Sequence, residues 1–169
     1  MGLIVIRHPE TEQNRAKVFP DYTDAAYTAT GQRQLEAILA EDFKADHIFS
    51  SPLSRATRLA GALAKKYSID FTIDKRLREI DLGHFAGLSF EEIKRYYPNL
   101  IGPWMADPWH FQYPRGESYP QLKQRVLSFL ETVPKASILC THQAVSHVIA
   151  LEFGDDKPLA TGEWRQYAY

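Results

Sequence analysis

Apolar runs alternate with amphipathic stretches along the chain, and this alternation predicts an α/β fold. The first run, Leu3 to Ile6, is aliphatic at every position, which is typical of a strand buried on both faces of a sheet. Further strands are predicted at 47–49, 70–73 and 137–141, and between them apolar residues recur at the spacing of one helical face. Strands that alternate with helices in this way predict an α/β sandwich with a mostly parallel sheet.

Capping residues and prolines predict where the helices begin. Helix starts are expected near Thr30 and Pro52 and at two capping boxes, Ser89–Glu92 and Ser118–Gln121. A last helix is predicted within residues 143–154.

Three other stretches complete this assignment. Residues 11–27 are predicted to form a loop. The stretch after Pro98 is dense in proline, tryptophan and tyrosine, so it is predicted to be irregular. The tail EWRQYAY, residues 163–169, is predicted to add a strand.

Length and composition predict one folded domain over residues 1–169. Hydrophobic residues make up 44% of the chain and charged residues 24%, which excludes a disordered or fibrous protein. The formal net charge of −1 gives no bulk attraction to nucleic acid or to a membrane, so neither is expected as a partner. No apolar run is long enough to span a bilayer. The single cysteine, Cys140, is expected to be a core residue in a reducing compartment, which predicts a cytoplasmic location. The sequence leaves the oligomeric state open.

Arginine and histidine residues stand at the ends of three predicted strands. Arg7 and His8 end the first strand, Arg55 lies in the first turn of the helix after the second, and His142 ends the strand 137–141. Ligands of open α/β sheets bind beyond the carboxyl ends of the strands, where helix N-termini also point. Two guanidinium groups and two imidazoles brought together there would form an anion pocket, and the planar fork of arginine suits a phosphate.

Each of these residues also has a purely structural interpretation. A single arginine at a strand end is more often part of a surface ion pair, and a single histidine is more often a structural residue. Repetition at three strand ends favours the anion pocket. A zinc site is disfavoured because the six histidines show neither His-x-x-x-His nor HExxH spacing. The motifs of a P-loop, a dinucleotide site and a serine hydrolase do not occur in the sequence, so no metal and no cofactor is expected.

The same residues fall in sequence blocks that resemble those of the histidine phosphatase superfamily, the phosphoglycerate-mutase-like enzymes. RHPETEQNR, residues 7–15, is similar to the family's R-H-G-E-T signature, which is followed by an asparagine and an arginine. The other matching blocks are YTATGQRQ (27–34), SSPLSRATRLA (50–60), LREIDLGHFAGL (77–88), RGES (115–118) and LCTHQAVSHVI (139–149). The resemblance extends over most of the chain and implies a three-layer α/β/α sandwich with a mostly parallel, phosphoglycerate-mutase-like sheet.

The sequence departs from the family pattern near the expected site. Pro9 replaces a glycine of the signature, which fixes φ and removes an N–H group. The other departures are Ala86, Arg115, Gln143 and Ala144. None of them removes a predicted catalytic group, and their effect on rate and substrate preference stays open.

The resemblance implies a metal-independent reaction through a phosphohistidine. His8 would be the nucleophile that attacks phosphorus. Arg7, Arg55 and His142 would hold the phosphoryl oxygens, a task that other phosphoryl-transfer enzymes give to magnesium. Glu79 would protonate the departing oxygen and then deprotonate the attacking water, which requires a raised pKa. Spacing alone equally allows Glu79 to be a solvated surface glutamate.

Further residues are expected to contact the substrate or to support the site. Asn14, Arg15 and Gln143 are predicted to bind the phosphate or the substrate, with ordinary loop solvation as the alternative for the first two. Glu117 and Ser118 are expected to support the start of a helix.

The aromatic residues of segment 103–118 have two interpretations. Trp104, Trp109, Phe111 and Tyr113 would suit a lid over an organic leaving group, because aromatic rings give a large contact area with few rotors. Simple core packing explains them equally well.

The predicted function is hydrolysis of a phosphomonoester of a small metabolite. Among small members of the family, the chain resembles alpha-ribazole phosphatase of cobalamin assembly and broad-specificity phosphatases, so alpha-ribazole phosphate is one candidate substrate. The resemblance also bears on the reaction, because the mutases of the superfamily are longer and carry a larger insertion that encloses the substrate. The short segment before His142 in this chain therefore favours hydrolysis. A phosphoglycerate mutase and a non-catalytic phospholigand-binding relative are the alternatives.

Overall fold

A computed structural model describes residues 2–168, and within that range the chain forms five strands and seven α-helices. The strands are β1 (Gly2–Arg7), β2 (His47–Ser50), β3 (Phe71–Ile73), β4 (Ser137–Thr141) and β5 (Trp164–Ala168). The α-helices are α1 (Glu12–Arg15), α2 (Ala29–Ala40), α3 (Ser54–Tyr67), α4 (Phe90–Tyr96), α5 (Pro98–Ala106), α6 (Tyr119–Leu130) and α7 (Gln143–Glu152).

The strands form one sheet in the order β3-β2-β4-β1-β5. The first four strands are parallel, and β5 runs antiparallel to β1. The predicted mostly parallel sheet is therefore confirmed. The predicted strand in the tail is confirmed as well, apart from Tyr169, which lies outside the described residues.

Residues of β1 alternate between two separate cores. Leu3 and Val5 pack with α6 and α7 on one face of the sheet, whereas Ile4 and Ile6 pack with α2 and α3 on the other. All four side chains are almost completely buried. This double burial explains why the strand is aliphatic at every position, and it gives the three layers implied by the family resemblance.

Most helix starts follow the predicted caps. The boxes Ser89–Glu92 and Ser118–Gln121 are both formed. The start near Thr30 is wrong by two residues, because the hydroxyl of Thr28 caps α2 by accepting a hydrogen bond from the Gly31 N–H at 3.0 Å. The predicted loop 11–27 also contains the short helix α1.

The stretch after Pro98 begins with a helix, α5, that was not predicted, whereas residues 107–118 contain no helix or strand, as expected. Pro98 occupies the first turn of α5, where a missing N–H has no consequence. Pro103 lies inside the helix, and Trp104 is buried against the core. The two prolines concealed a short apolar helix. No helix within residues 2–168 is both long enough and apolar enough to cross a membrane.

Candidate active site

His8 follows β1, and a contact with the next residue, Pro9, fixes the orientation of its ring. Its Nδ1 lies 2.8 Å from the carbonyl oxygen of Pro9. A carbonyl only accepts hydrogen bonds, so Nδ1 carries the ring proton and Nε2 keeps a free lone pair. Burial, reinforced by the positive charge of Arg55, lowers the pKa of His8 to about 3. The ring is therefore neutral at physiological pH and can act as a nucleophile.

His142 is the residue before α7 and lies completely buried beside His8. Its Nε2 is 2.8 Å from the hydroxyl oxygen of Ser51, which also accepts a hydrogen bond from the Leu53 N–H at 3.2 Å. Among the described residues, Nε2 is the acceptor available to the Ser51 hydroxyl proton, so the proton of His142 resides on Nδ1. Within residues 2–168 no group accepts from that Nδ1. Burial and the neighbouring His8 hold the pKa of His142 well below its usual value.

Two arginines bring positive charge to the same place. Arg7 donates from Nη1 to the carbonyl oxygen of Leu159 at 2.9 Å, and its Nε has no partner in the described chain. Arg55 is only 1% exposed, yet none of its three guanidinium nitrogens has an acceptor among residues 2–168. Leaving a buried polar group unpaired costs about 1–3 kcal/mol, and more for a charge. Such a guanidinium fits an oxyanion that supplies the missing acceptors.

Glu79 is a buried carboxyl rather than a solvated one. Its Oε1 accepts hydrogen bonds from the Ile80 N–H at 3.0 Å and from the Ala144 N–H, in the first turn of α7, at 3.2 Å. Burial raises the pKa of Glu79, while these bonds and the charges of Arg7 and Arg55 act in the opposite direction. A carboxyl with a raised pKa can deliver and recover a proton near neutral pH.

A cavity of about 240 Å³ opens over these groups. Its lining residues are Arg7, His8, Asn14, Lys17, Val18, Phe19, Pro20, Glu79 and Gln143. Arg55 and His142 are not among these lining residues, and both are almost completely buried next to His8. Within the described chain, no group of three or more histidine, cysteine, aspartate or glutamate side chains is arranged to hold a metal ion.

Comparison with known proteins decides the family. Residues 3–167 match the family model of the histidine phosphatase superfamily, branch 1. The chain belongs to the histidine phosphatase superfamily. Phosphoserine phosphatase 1 of Hydrogenobacter thermophilus is 31% identical over 152 residues, which are 88% of this chain and 72% of that relative.

Other members of the superfamily extend the comparison. A protein named probable phosphoglycerate mutase GpmB, from Escherichia coli, is 29% identical over 153 residues, which are 89% of this chain and 71% of that relative. The solved structure of alpha-ribazole phosphatase from Shigella flexneri superposes with a TM-score of 0.82 at 24% identity, over 97% of this chain and 88% of that one. The structural match supports the histidine phosphatase fold, and the family supports a phosphatase as the class of enzyme.

The predicted substrate contacts of this histidine phosphatase have different positions. Asn14 and Gln143 line the cavity. The side-chain oxygen of Asn14 is already used, because it accepts from the N–H and hydroxyl groups of Thr11 at 3.0 and 2.9 Å. Arg15 is not brought to the cavity: its side chain is 66% exposed and forms an ion pair with Glu12. Its predicted role in substrate binding therefore has no support from its position.

Two residues at the site were missed by the sequence reasoning. Lys17 lines the cavity with a left-handed backbone, φ 55°, and no local signal in the sequence predicts this. Ser51 sets the protonated nitrogen of His142. The double serine before Pro52 lay within a matching block of the histidine phosphatase family, but the contact joins residues far apart in the chain.

The aromatic segment divides between core and site. Trp104, Phe111 and Tyr113 pack around Phe85 in the core. Tyr113 also lines a second cavity of about 130 Å³, which shares Glu79 and several other lining residues with the first.

Tyr119 lines this second cavity too and stacks on Trp109, with ring centroids 5.0 Å apart. Trp109 lines neither cavity, so its contact with the site of this histidine phosphatase runs through Tyr119. The lid interpretation of the segment does not hold for Trp104, which is buried in the core, or for Phe111, which packs against it.

Proposed function

We propose that the protein is a metal-independent phosphomonoester hydrolase that works through a phosphohistidine on His8. The observation that supports this most strongly is the neighbourhood of the neutral His8 and the unpartnered Arg55 guanidinium. A neutral imidazole with a free Nε2 is a nucleophile, and a buried guanidinium without acceptors is a phosphate ligand.

The first step transfers the phosphoryl group to the enzyme. Nε2 of His8 attacks phosphorus, and the bond from phosphorus to the ester oxygen breaks. The leaving alcohol takes the proton of the Glu79 carboxyl. Arg7, Arg55 and the Nδ1–H of His142 donate to the phosphoryl oxygens, where negative charge is spread in the transition state.

The second step returns the enzyme to its starting state. Glu79, now ionised, removes a proton from a water molecule as the water oxygen bonds to phosphorus. The phosphorus–nitrogen bond breaks, its electron pair returns to Nε2 of His8, and inorganic phosphate leaves. The carboxyl is protonated again, so atoms and charges balance over the cycle.

The second cavity favours a substrate whose leaving group is organic and partly aromatic. It adjoins Glu79, which must reach the ester oxygen, and Tyr113 and Tyr119 contribute aromatic surface. A small phosphorylated metabolite with a ring, of which alpha-ribazole phosphate is one, fits this chemistry. Phosphoserine is the natural comparison substrate, because the relative from Hydrogenobacter thermophilus is named a phosphoserine phosphatase.

Trapping the phosphoenzyme tests this proposal. His8→Ala is expected to lower the rate of hydrolysis of 4-nitrophenyl phosphate by at least about 10³-fold. After rapid quenching, the wild type is expected to carry acid-labile phosphate and the variant none. A panel of phosphate esters, assayed with and without a chelator, then ranks substrates. Unchanged hydrolysis by His8→Ala would overturn the proposal. Tight phosphate binding without any product would instead support a non-catalytic phospholigand-binding protein.

A mutase is the second candidate, because a relative of this chain is named as one. A mutase must protect its phosphohistidine from water until the phosphoryl group returns to the substrate. Incubation with 3-phosphoglycerate distinguishes the two: a hydrolase releases inorganic phosphate, whereas a mutase yields the 2-phospho isomer.

A further inference from the structure

The segment that carries Glu79 has little secondary structure of its own. Residues 74–88 contain two single 3₁₀ turns, Lys75–Leu77 and Gly83–Phe85, and no strand or α-helix. The main chain around Glu79 is therefore not fixed by a sheet ladder or a helix. Its position depends in large part on hydrogen bonds from other parts of the fold.

Arg125, on α6, binds this segment at two points. Its Nη1 donates to the carbonyl oxygen of Arg76 at 2.7 Å, and its Nη2 donates to the carbonyl oxygen of Glu79 at 3.1 Å. The hydroxyl of Tyr22 donates to the same Glu79 carbonyl at 2.9 Å. The rigid guanidinium thus bridges the main-chain carbonyl groups of Arg76 and of Glu79, the proposed acid.

Glu117 holds the guanidinium and extends the contact. Its two carboxylate oxygens accept from Nε and Nη2 of Arg125 at 2.7 and 2.8 Å. The same carboxylate accepts from the Asp81 N–H at 2.9 Å, and the Glu117 N–H donates to the Asp81 carbonyl at 2.7 Å. Both side chains are less than one fifth exposed, so this bidentate pair is shielded from solvent.

We propose that Glu117 and Arg125 form a positioning pair that holds the Glu79 carboxyl against the cavity for proton transfer. The pair brackets Glu79, with main-chain bonds at 76, 79 and 81. It makes no hydrogen bond to the Glu79 carboxyl itself, so it acts through geometry rather than by touching the substrate. This inference rests on the proposed role of Glu79 as acid and base.

The test separates proton transfer from general damage by changing the leaving group. An aryl phosphate with a good leaving group needs little help from an acid, whereas an alkyl phosphate with a poor one depends on it. The value of kcat/KM is measured for 4-nitrophenyl phosphate and for 2-phenylethyl phosphate, because kcat/KM covers substrate binding and phosphorylation and excludes the later hydrolysis of the phosphohistidine. A partly unfolded protein loses activity equally on both substrates, so the ratio of the two values is unaffected by folding.

The variants are Arg125→Lys and Glu117→Gln, with Lys123→Gln as the matched control. Lys123 lies on the same helix and forms a surface ion pair with Glu152, away from Glu79. For Arg125→Lys and Glu117→Gln, kcat/KM for the alkyl ester is expected to fall about 10–100-fold, and for the aryl ester less than about 3-fold. Lys123→Gln is expected to change neither. Glu117→Gln keeps the size of the side chain and serves as the test if Arg125→Lys does not fold.

Glu79→Gln distinguishes failure of this inference from failure of the proposed function. It is expected to show the same selective loss on the alkyl ester, to a greater extent. If Glu79→Gln leaves the ratio of the two substrates unchanged, the proposed acid is wrong and the inference falls with it. If Glu79→Gln changes the ratio but neither Arg125→Lys nor Glu117→Gln does, the positioning pair alone is overturned.

Discussion

The imidazole rings of His8 and His142 meet edge to face, with centroids 5.2 Å apart and planes inclined at 61°. Their proximity follows from the register of the sheet. Arg7 pairs with Thr141 in the ladder between β1 and β4, so the next residue of each strand leaves the sheet beside the other. The two rings hold complementary roles: His8 offers a lone pair on Nε2, and His142 offers a proton on Nδ1.

Acid is expected to destabilise the protein through these histidines. Folding lowers the pKa of His8 from 6.5 to about 3, so its contribution to stability is fully present above about pH 6.5 and is lost as the pH falls toward 3. Each such histidine lowers the free energy of unfolding by about 1.4 kcal/mol per pH unit within this window. Urea titrations at pH 7, 6, 5 and 4 are expected to give a shallower dependence for His8→Asn than for wild type. Identical slopes would show that His8 is not held neutral by burial.

Ser51→Ala is expected to lower kcat/KM by at least about tenfold, although Ser51 does not touch the cavity. Without the hydroxyl, nothing fixes the proton of His142 on Nδ1, and the donor to the phosphoryl group is lost in part of the molecules. Ser50→Ala is the control, because Ser50 is also buried but its hydroxyl donates only to the Ser51 carbonyl. An equal loss in both variants would point to packing instead of the tautomer.

Arg55→Met is expected to stabilise the ligand-free fold and to abolish phosphate binding. Wild type buries a guanidinium without acceptors, and replacing such a charge by an apolar side chain commonly raises stability by about 1 kcal/mol or more. Thermal unfolding with and without inorganic phosphate measures both effects, since phosphate raises the Tm only of a protein that binds it. Arg58→Met, on the same helix, removes an exposed ion pair with Asp24 and should keep the phosphate response. A phosphate response retained by Arg55→Met would contradict the assignment.

The pH dependence of turnover is expected to report Glu79. Its pKa is raised by burial, and phosphorylation needs the protonated carboxyl, so kcat/KM for alkyl esters should fall as the pH rises through that raised pKa. Glu79→Gln should lose this alkaline limb while keeping the remaining activity on aryl esters. A profile that keeps the limb in the variant would assign it to another group.

The sheet and most helix starts could be predicted from the sequence because they depend on local patterns. An aliphatic run buried on both faces is recognisable in β1, and the caps at Ser89 and Ser118 use bonds within four residues. The start of α2 was misplaced because Thr28 and Thr30 are both suitable caps, and only the main-chain path selects Thr28. Helix α5 was missed because prolines at its start and in its interior masked a short apolar period.

The candidate site was predictable only in part, because some of its contacts join residues that are far apart in the sequence. Arg7, His8 and His142 stand at strand ends and Arg55 in the first turn of α3, where the topology of an α/β sheet brings them together. The contacts of Ser51 with His142 and of Arg125 with the Glu79 carbonyl join residues 91 and 46 positions apart, so no local period signals them. Arg15 and Lys17 illustrate the limit of motif matching: the motif contains Arg15, but Lys17, two positions later, is the residue that lines the cavity.

The residues just before the antiparallel strand β5 hold Arg7 and His8 in place, although Leu159 lies 152 positions from Arg7 in the sequence. The carbonyl of Leu159 binds the Arg7 guanidinium, the Glu163 carbonyl accepts from the Arg7 N–H, and the Gly162 N–H donates to the His8 carbonyl. On a translating ribosome, the first strand emerges early but lacks these partners until residues 159–168 have been released. The phosphate site therefore cannot form on the ribosome before residues 159–163 have emerged, and a nascent chain that stops short of them lacks these contacts to Arg7 and His8.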